Sequence, residues 1–373
     1  MSATTTDALI IGGGIAGISA AARLSAQMKV AVVEMESSTA YHSTGRSAAM
    51  FIRNYGPPAV RALNRLAEPF YRNPEGFSDM PLLSPRGEMT LDCGDDDAAF
   101  AAYCEDSVGL EHLTGEEACK IVPILRPDVV RRAVYEPDAS DIDVHQLMSC
   151  FTRMAKANGA TINSRHEALT LPANNGGWSV ESTGGTYHAA TVINAAGAWA
   201  DELARRAGLR PMMITPKRRS AVVVPMAEGY DCSSWPLTVP ATESWYIRPD
   251  NGRLMISPAD ADPVEAQDIH PDDMVLAEGI HRFEQATTMT VNRIEHQWAG
   301  LRSFPPDHNP VVGFAPDADG FFWLAWQGGY GIQTSPALSQ LTAELITAAT
   351  PECDAATLAL LSPERFVEKG LPA

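Results

Sequence analysis

Short apolar runs alternate with amphipathic stretches along this chain, and the first three such segments are the most regular. Asp7 to Ile11 is an apolar run of strand type, and Ser19 to Met28 carries Ala and Leu at helical spacing. Lys29 to Val33 reads as a second buried strand and ends on Glu34. Further on, Ala59 to Tyr71 has helical spacing, and Leu82 to Leu91 reads as a turn followed by a strand. Asp95 to Ser107 reads as a solvated helix. Thr114 with Glu117 three residues on marks a helix start, Val134 to Ala139 breaks the pattern, and Asp141 to Asn158 returns to a helix. Thr161 to Leu171 and Trp178 to Ser182 read as strands, and Ala190 to Trp199 as a strand running into a turn of small residues, with a helix from Ala200.

From Arg210 the rhythm changes to longer strands. Ser244 to Pro249 and Arg253 to Ser257 form a hairpin around Asp250-Asn251-Gly252. Pro271 to Ala286 is helical, Asp317 to Gly320 is a turn before the strand Phe321 to Ala325, and a last helix runs from Ala337 to Ala349. The pattern predicts an α/β fold in which a Rossmann-like domain is interrupted by a β-rich (α+β) second domain. The first is assigned residues 1–80, 141–210 and 299–373; the second, which would bind substrate, residues 81–140 and 211–298.

Between the first strand and helix lies Gly12-Gly13-Gly14-Ile15-Ala16-Gly17. Strand, glycine turn, helix, strand and terminal acid make the full setting of a dinucleotide-binding fingerprint. Gly12 allows the sharp turn, Gly14 lets a pyrophosphate approach the backbone, and Gly17 lets the helix pack close. The amides around Ile15 and Ala16 then face the phosphates. Glu34, 17 positions after Gly17, is placed for a ribose diol, with Met35 beside it. An acid there disfavours a 2′-phosphate. The motif alone leaves FAD and NAD open.

The 373 residues carry a net charge of −18, which makes nucleic acid and anionic lipid poor partners. The six cysteines are scattered without a C-x-x-C pair, suiting reduced thiols in a cytoplasmic protein and no metal site. No apolar run approaches the length of a membrane span.

Tyr41-His42-Ser43-Thr44-Gly45-Arg46-Ser47-Ala48-Ala49 is small and polar, suiting a loop along a ligand or a plain surface loop. Ala196-Gly197 could bring backbone to the same cofactor or serve packing alone. This loop, with Leu82 to Arg86, Pro216 to Ser220, Ala299 to Phe304 and Gly328 to Ser335, closely resembles bacterial FAD-dependent D-arginine dehydrogenases. These belong to the D-amino acid oxidase, glycine oxidase and sarcosine oxidase group. The resemblance covers nearly the whole chain, in order.

The resemblance implies FAD and flavin-dependent oxidative deamination of a D-amino acid: hydride passes from Cα to flavin N5, and the imino acid hydrolyses to a 2-oxo acid and ammonia. It implies that Arg219, Tyr246 and Arg302 hold the substrate carboxylate and that Tyr55 sits on a mobile lid. Glu88 would face a cationic side chain such as that of D-arginine or D-lysine. Gly331, Ile332 and Gln333, with Thr334 beside them, would lie near the flavin, and Ser43 to Met50 would run along it.

The group carries His-Tyr where this chain has Met50-Phe51, and Arg53 brings a cation into the lid. An inward Arg53 would neutralise Glu88 or favour an acidic substrate. An N-substituted or acidic amino acid is therefore an alternative, and a non-catalytic flavoprotein subunit is another. No cysteine lies between Cys232 and Cys353, so the FAD is expected to be non-covalent. The electron acceptor is not legible.

Overall fold

The computed structural model describes residues 3–94, 97–174 and 176–368. The expected domain spans and the helix expected from Asp95 include residues 1, 2, 95, 96, 175 and 369–373, which lie outside the described residues.

The first sheet grows from the fingerprint. Strand Thr4–Ile11 pairs in parallel with Val30–Glu34 on one side and with Gly185–Asn194 on the other. Thr161–Ser164 extends the sheet beyond Val30–Glu34, and Phe321–Ala325 joins the far end of Gly185–Asn194, again in parallel. The near end of that long strand pairs antiparallel with Gly177–Ser182. Successive residues point to opposite faces. Ala8, Ile10, Val30 and Val32 therefore pack with Ile18, Leu63, Phe151 and Leu338 of the helices on one side. Leu9, Ile11, Ala31 and Val33 pack with Ala200 and Leu203 on the other.

The second sheet runs in the order His296–Phe304, Thr215–Pro225, Arg253–Ser257, Tyr246–Asp250, Leu237–Pro240, Glu88–Asp92, Arg132–Glu136 and Glu111–Thr114. One face buries Met89, Val222, Ile247 and Ile256 under Leu276 and Phe283 of helix Asp273–Ala286. The other face looks toward the first sheet. The hairpin at Asp250 is a two-residue turn, with Asn251 at φ 50° and Gly252 at φ 78°, the left-handed pair that such turns require. The position between 298 and 299 falls inside strand His296–Phe304, which stays in this sheet to Phe304.

Some elements differ from the sequence pattern. Val134 to Glu136 is not a break but part of strand Arg132–Glu136, paired on both sides. Thr161 to Leu171 is two strands, divided near Arg165 at φ 62°. The last long helix spans Gly331–Ile346, six residues earlier than its apolar spacing indicates. Pro336 lies inside it and has no N–H for the Ile332 carbonyl. Tyr71 Oη donates to that carbonyl at 2.6 Å and Ser335 Oγ at 2.9 Å, so a tertiary contact replaces the missing bond. Helices Ala355–Leu361 and Glu364–Glu368 were not expected. Thr114 caps its helix with Glu117 in a reciprocal box, as the sequence indicates.

Candidate functional site

The glycine turn opens onto a cavity of about 470 Å³ between the two sheets, lined there by Gly12, Gly14, Ile15 and Ala16. Gly12 holds φ 114°, and a Cβ on it would lie 2.3 Å from the Ala195 carbonyl oxygen. Gly17 does not line the cavity; a Cβ there would lie 2.0 Å from the Gly12 carbonyl oxygen, so it serves helix packing. Gly14 differs. A Cβ there would approach only Thr44 Oγ1, at 3.3 Å, so the protein's own packing does not demand glycine. Helix Ile15–Leu24 starts at that space, with its Ile15 N–H donating to Thr44 Oγ1 at 3.0 Å, and the bare Gly14 leaves room for a phosphate against the turn.

Glu34 and Met35 also line the cavity. The Glu34 carboxylate accepts from Gly13 N at 2.7 Å and Glu36 N at 2.8 Å, which fixes it at the strand end with lone pairs to spare. These features fit the adenosine diphosphate half of a dinucleotide.

The 41–49 segment is a strap between the two sheets. Ser43 Oγ donates to Leu301 O at 2.7 Å, and Arg46 Nη1 to Ala299 O at 3.1 Å. Arg46 also pairs with Asp268, and Trp298 Nε1 donates to Arg46 O at 3.0 Å. Ser43, Thr44, Arg46, Ser47 and Ala48 line the cavity, whereas Gly45, Ala49 and Met50 do not. A Cβ on Gly45 would strike the Ala40 carbonyl oxygen, and Met50 packs with Ile52 and Ala139. Ala196 and Gly197 line the cavity, Ala196 directly against Gly12 of the glycine turn.

At the far end, pairing of Arg219 with Gly300 and of Lys217 with Arg302 puts Arg219 and Arg302 on the same face. Tyr246 packs on Ala221 of that face, while Trp245 turns to Phe283 on the other. Arg219, Tyr246 and Arg302 all line the cavity, and the open surface of the two half-buried arginines is its wall. Arg219 Nε donates to Asp260 O at 2.9 Å, and Arg302 Nη1 to Tyr55 Oη at 3.4 Å. Among the described residues no carboxylate is paired with either guanidinium.

Burial and the neighbouring Arg302 hold the Arg219 guanidinium below its ordinary value. Burial acts the same way on Arg302, but the phenols of Tyr55 and Tyr246 and the Glu243 carboxylate outweigh it and raise Arg302. Both stay cationic at neutral pH. Two cations side by side without an anion define an anion site, and a planar carboxylate suits two guanidinium forks.

Tyr55 does not line the cavity; it stands behind Arg302, its ring 5.1 Å from that of Tyr330. Glu88 does not line it either. It lies on the same sheet face, opposite Leu237 on one side and Glu136 on the other. It is 2% exposed and covered by Tyr103 Oη at 2.8 Å and Thr90 Oγ1 at 2.7 Å. Burial pushes its carboxyl up to about 8, with Glu136 and Glu243 adding to the effect. Arg53 turns away onto helix Pro58–Arg72, where Glu68 accepts from its Nε at 3.0 Å and Nη2 at 2.6 Å. Ile332 lines the cavity, but Gly331, Gln333 and Thr334 sit behind it. Gln333 Oε1 accepts from Ile52 N at 3.1 Å.

Sequence reasoning missed His166, Trp199, Arg206 and Trp326 in the cavity wall. None lies in a glycine motif. Arg206 pairs with Glu167 and Glu202, and His166 bonds the Tyr187 hydroxyl, so each would read as structural from its neighbours.

The family model described as FAD dependent oxidoreductase matches residues 7–345. Glycine oxidase of Geobacillus kaustophilus is 27% identical over 245 residues, which is 64% of this chain and 62% of that protein, less than two thirds of its length. Glycine oxidase of Pseudomonas putida is 24% identical over 366 residues, covering 94% of this chain and 97% of that one. Among solved structures, L-proline dehydrogenase from P. horikoshii has a TM-score of 0.83 at 23% identity, covering 100% of both chains. Glycine oxidase from G. kaustophilus has a TM-score of 0.80 at 22% identity, over 96% and 98% of the two chains. A match of this extent, laid over a cavity shaped for a dinucleotide, places the chain in the FAD dependent oxidoreductase family, with FAD as its cofactor.

Proposed function

We propose that this protein catalyses FAD-dependent oxidative deamination of D-amino acids, with basic ones such as D-arginine and D-lysine as first candidates. One observation carries the reading: Arg219 and Arg302 face one cavity beside Tyr246 with no carboxylate of the protein between them. A substrate carboxylate completes that charge balance. A structural or electron-transfer subunit has no use for such a pair.

Gly12, Gly14, Ile15 and Ala16 would hold the FAD pyrophosphate, Glu34 a ribose, and the strap from Ser43 to Ala48 the remainder of its length. None of the six cysteines lines the cavity, which supports non-covalent binding. When bound, FAD supplies the oxidant for the Cα–H bond. The residues of the chain supply position. Arg219 and Arg302 fix the carboxylate, and Tyr246 adds a phenol donor. Two-point capture of the carboxylate, with the amine and Cα–H directed at the flavin, would select one enantiomer. Glu88 and Glu136 stand on the same sheet face as this clamp without lining the cavity, and a cationic side chain long enough to reach past Tyr103 would meet them.

A second reading is a small or N-substituted amino acid. The cover of Tyr103 and Thr90 over Glu88 favours it, because a neutral, bonded carboxyl attracts a cation weakly. Anaerobic mixing of the FAD-loaded protein with D- and L-amino acids and sarcosine, followed by flavin bleaching, tests both. Rapid bleaching by D-Arg and D-Lys supports the first reading. Bleaching by sarcosine or small amino acids alone supports the second, and no bleaching by any overturns both.

A further inference from the structure

We propose that Asn54 and Glu136 are positioning residues that set Tyr55 against Arg302. This rests on the reading of Arg302 as a carboxylate-binding group. The segment Ile52 to Tyr55 is neither helix nor regular strand, so its position depends on bonds from outside. Glu136, on strand Arg132–Glu136, accepts from two consecutive residues of the segment: Arg53 N at 2.8 Å and Asn54 Nδ2 at 2.7 Å. The Asn54 amide also donates to Val108 O and accepts from Val108 N, both at 3.0 Å. Asn54 is 2% exposed and Glu136 is 3% exposed. A buried amide with three bonds to two separate elements has one low-energy orientation, because any other leaves polar atoms unpaired.

The carbonyl side of the segment is held separately. Asn64 Nδ2 faces Ile52 O and Arg53 O at 3.3 Å each and Tyr55 O at 3.1 Å. Tyr55 is the next residue after this anchor, and its hydroxyl reaches Arg302. A slack anchor would therefore let the phenol leave the guanidinium, and Arg302 would lose the group that orients it at the cavity wall. A role in fold maintenance alone predicts lower stability without any special coupling to Tyr55.

The experiment is a double-mutant cycle on the FAD-loaded protein, with Asn54→Ala, Tyr55→Phe and the pair. Propionate binding is read from the flavin absorbance change, and melting temperature is read in parallel. Glu136→Gln, which keeps the volume, is the second variant should Asn54→Ala fail to fold. Loss of a hydrogen bond to a charged group predicts about tenfold weaker propionate binding for Asn54→Ala. Adding Tyr55→Phe should then weaken it no further, because both changes remove one effect. Unchanged binding in Asn54→Ala and Glu136→Gln, or independent, additive effects, overturns the positioning role while the clamp stands. If the wild-type protein binds no propionate, the clamp reading falls first and this proposal with it.

Discussion

Glu88 and Glu136 stand directly opposite each other on adjacent strands, and both carboxyls are buried. Burial raises both, Glu88 to about 8 from the 4.5 of a free side chain. Between those two values the folded protein holds a proton on Glu88 that the unfolded chain has lost. Stability therefore falls as pH rises through this window and levels off above it. Glu88→Gln removes the titration while keeping one acceptor oxygen for a hydroxyl and an amide that donates to the oxygen of the other hydroxyl. Its stability relative to wild type should grow from near zero at pH 5 to about 2–5 kcal/mol at pH 9. Urea unfolding at both pH values checks this; parallel pH curves would refute it.

The two glycines of the fingerprint should fail differently. Gly17→Ala drives a Cβ to 2.0 Å from the Gly12 carbonyl oxygen and should prevent folding of the first domain. Gly14→Ala meets only Thr44 Oγ1, at 3.3 Å, and should fold yet bind FAD at least about tenfold more weakly. Circular dichroism separates the cases from flavin content; equal flavin retention by Gly14→Ala and wild type would contradict the cradle.

Arg302→Lys keeps the charge but loses the fork. It should weaken carboxylate binding about 10–100-fold with little change in melting temperature. The same size of effect is expected for Arg219→Lys. A variant that binds carboxylates as wild type does would remove that residue from the clamp.

Arg53→Ala should leave substrate preference alone. Its partner is Glu68 on a half-exposed surface, so the cost is about 0–1 kcal/mol of stability. A switch of preference among acidic, neutral and basic substrates in this variant would place Arg53 in the site after all.

Tyr71→Phe removes the phenol that serves the Ile332 carbonyl opposite Pro336. Ser335 Oγ still donates to that carbonyl, so the loss is that of one hydrogen bond, about 0.5–1.5 kcal/mol, which thermal melting of the FAD-loaded protein would read. No loss of stability would mean that Ser335 alone suffices.

The local sequence determined the strand–turn–helix at Gly12, the hairpin at Asn251-Gly252 and the capped helix at Thr114. Each depends on residues within a few positions: a positive φ, a side-chain cap, a run of alternating apolar residues. The resemblance to known dehydrogenases supplied Arg219, Tyr246 and Arg302 as a set, which no spacing in the chain would have joined. Tertiary structure decided what each long side chain meets. It turned Arg53 onto Glu68 and Trp245 into the core, covered Glu88 with Tyr103, and brought His166 and Arg206 to the cavity. It also carried the last long helix back through Pro336 by lending a hydroxyl from Tyr71. A charged or phenolic group takes its role from the partner it finds. Those partners lie from 15 residues away, as for Arg53 and Glu68, to 261, as for Tyr71 and Ile332, so only the folded chain selects them.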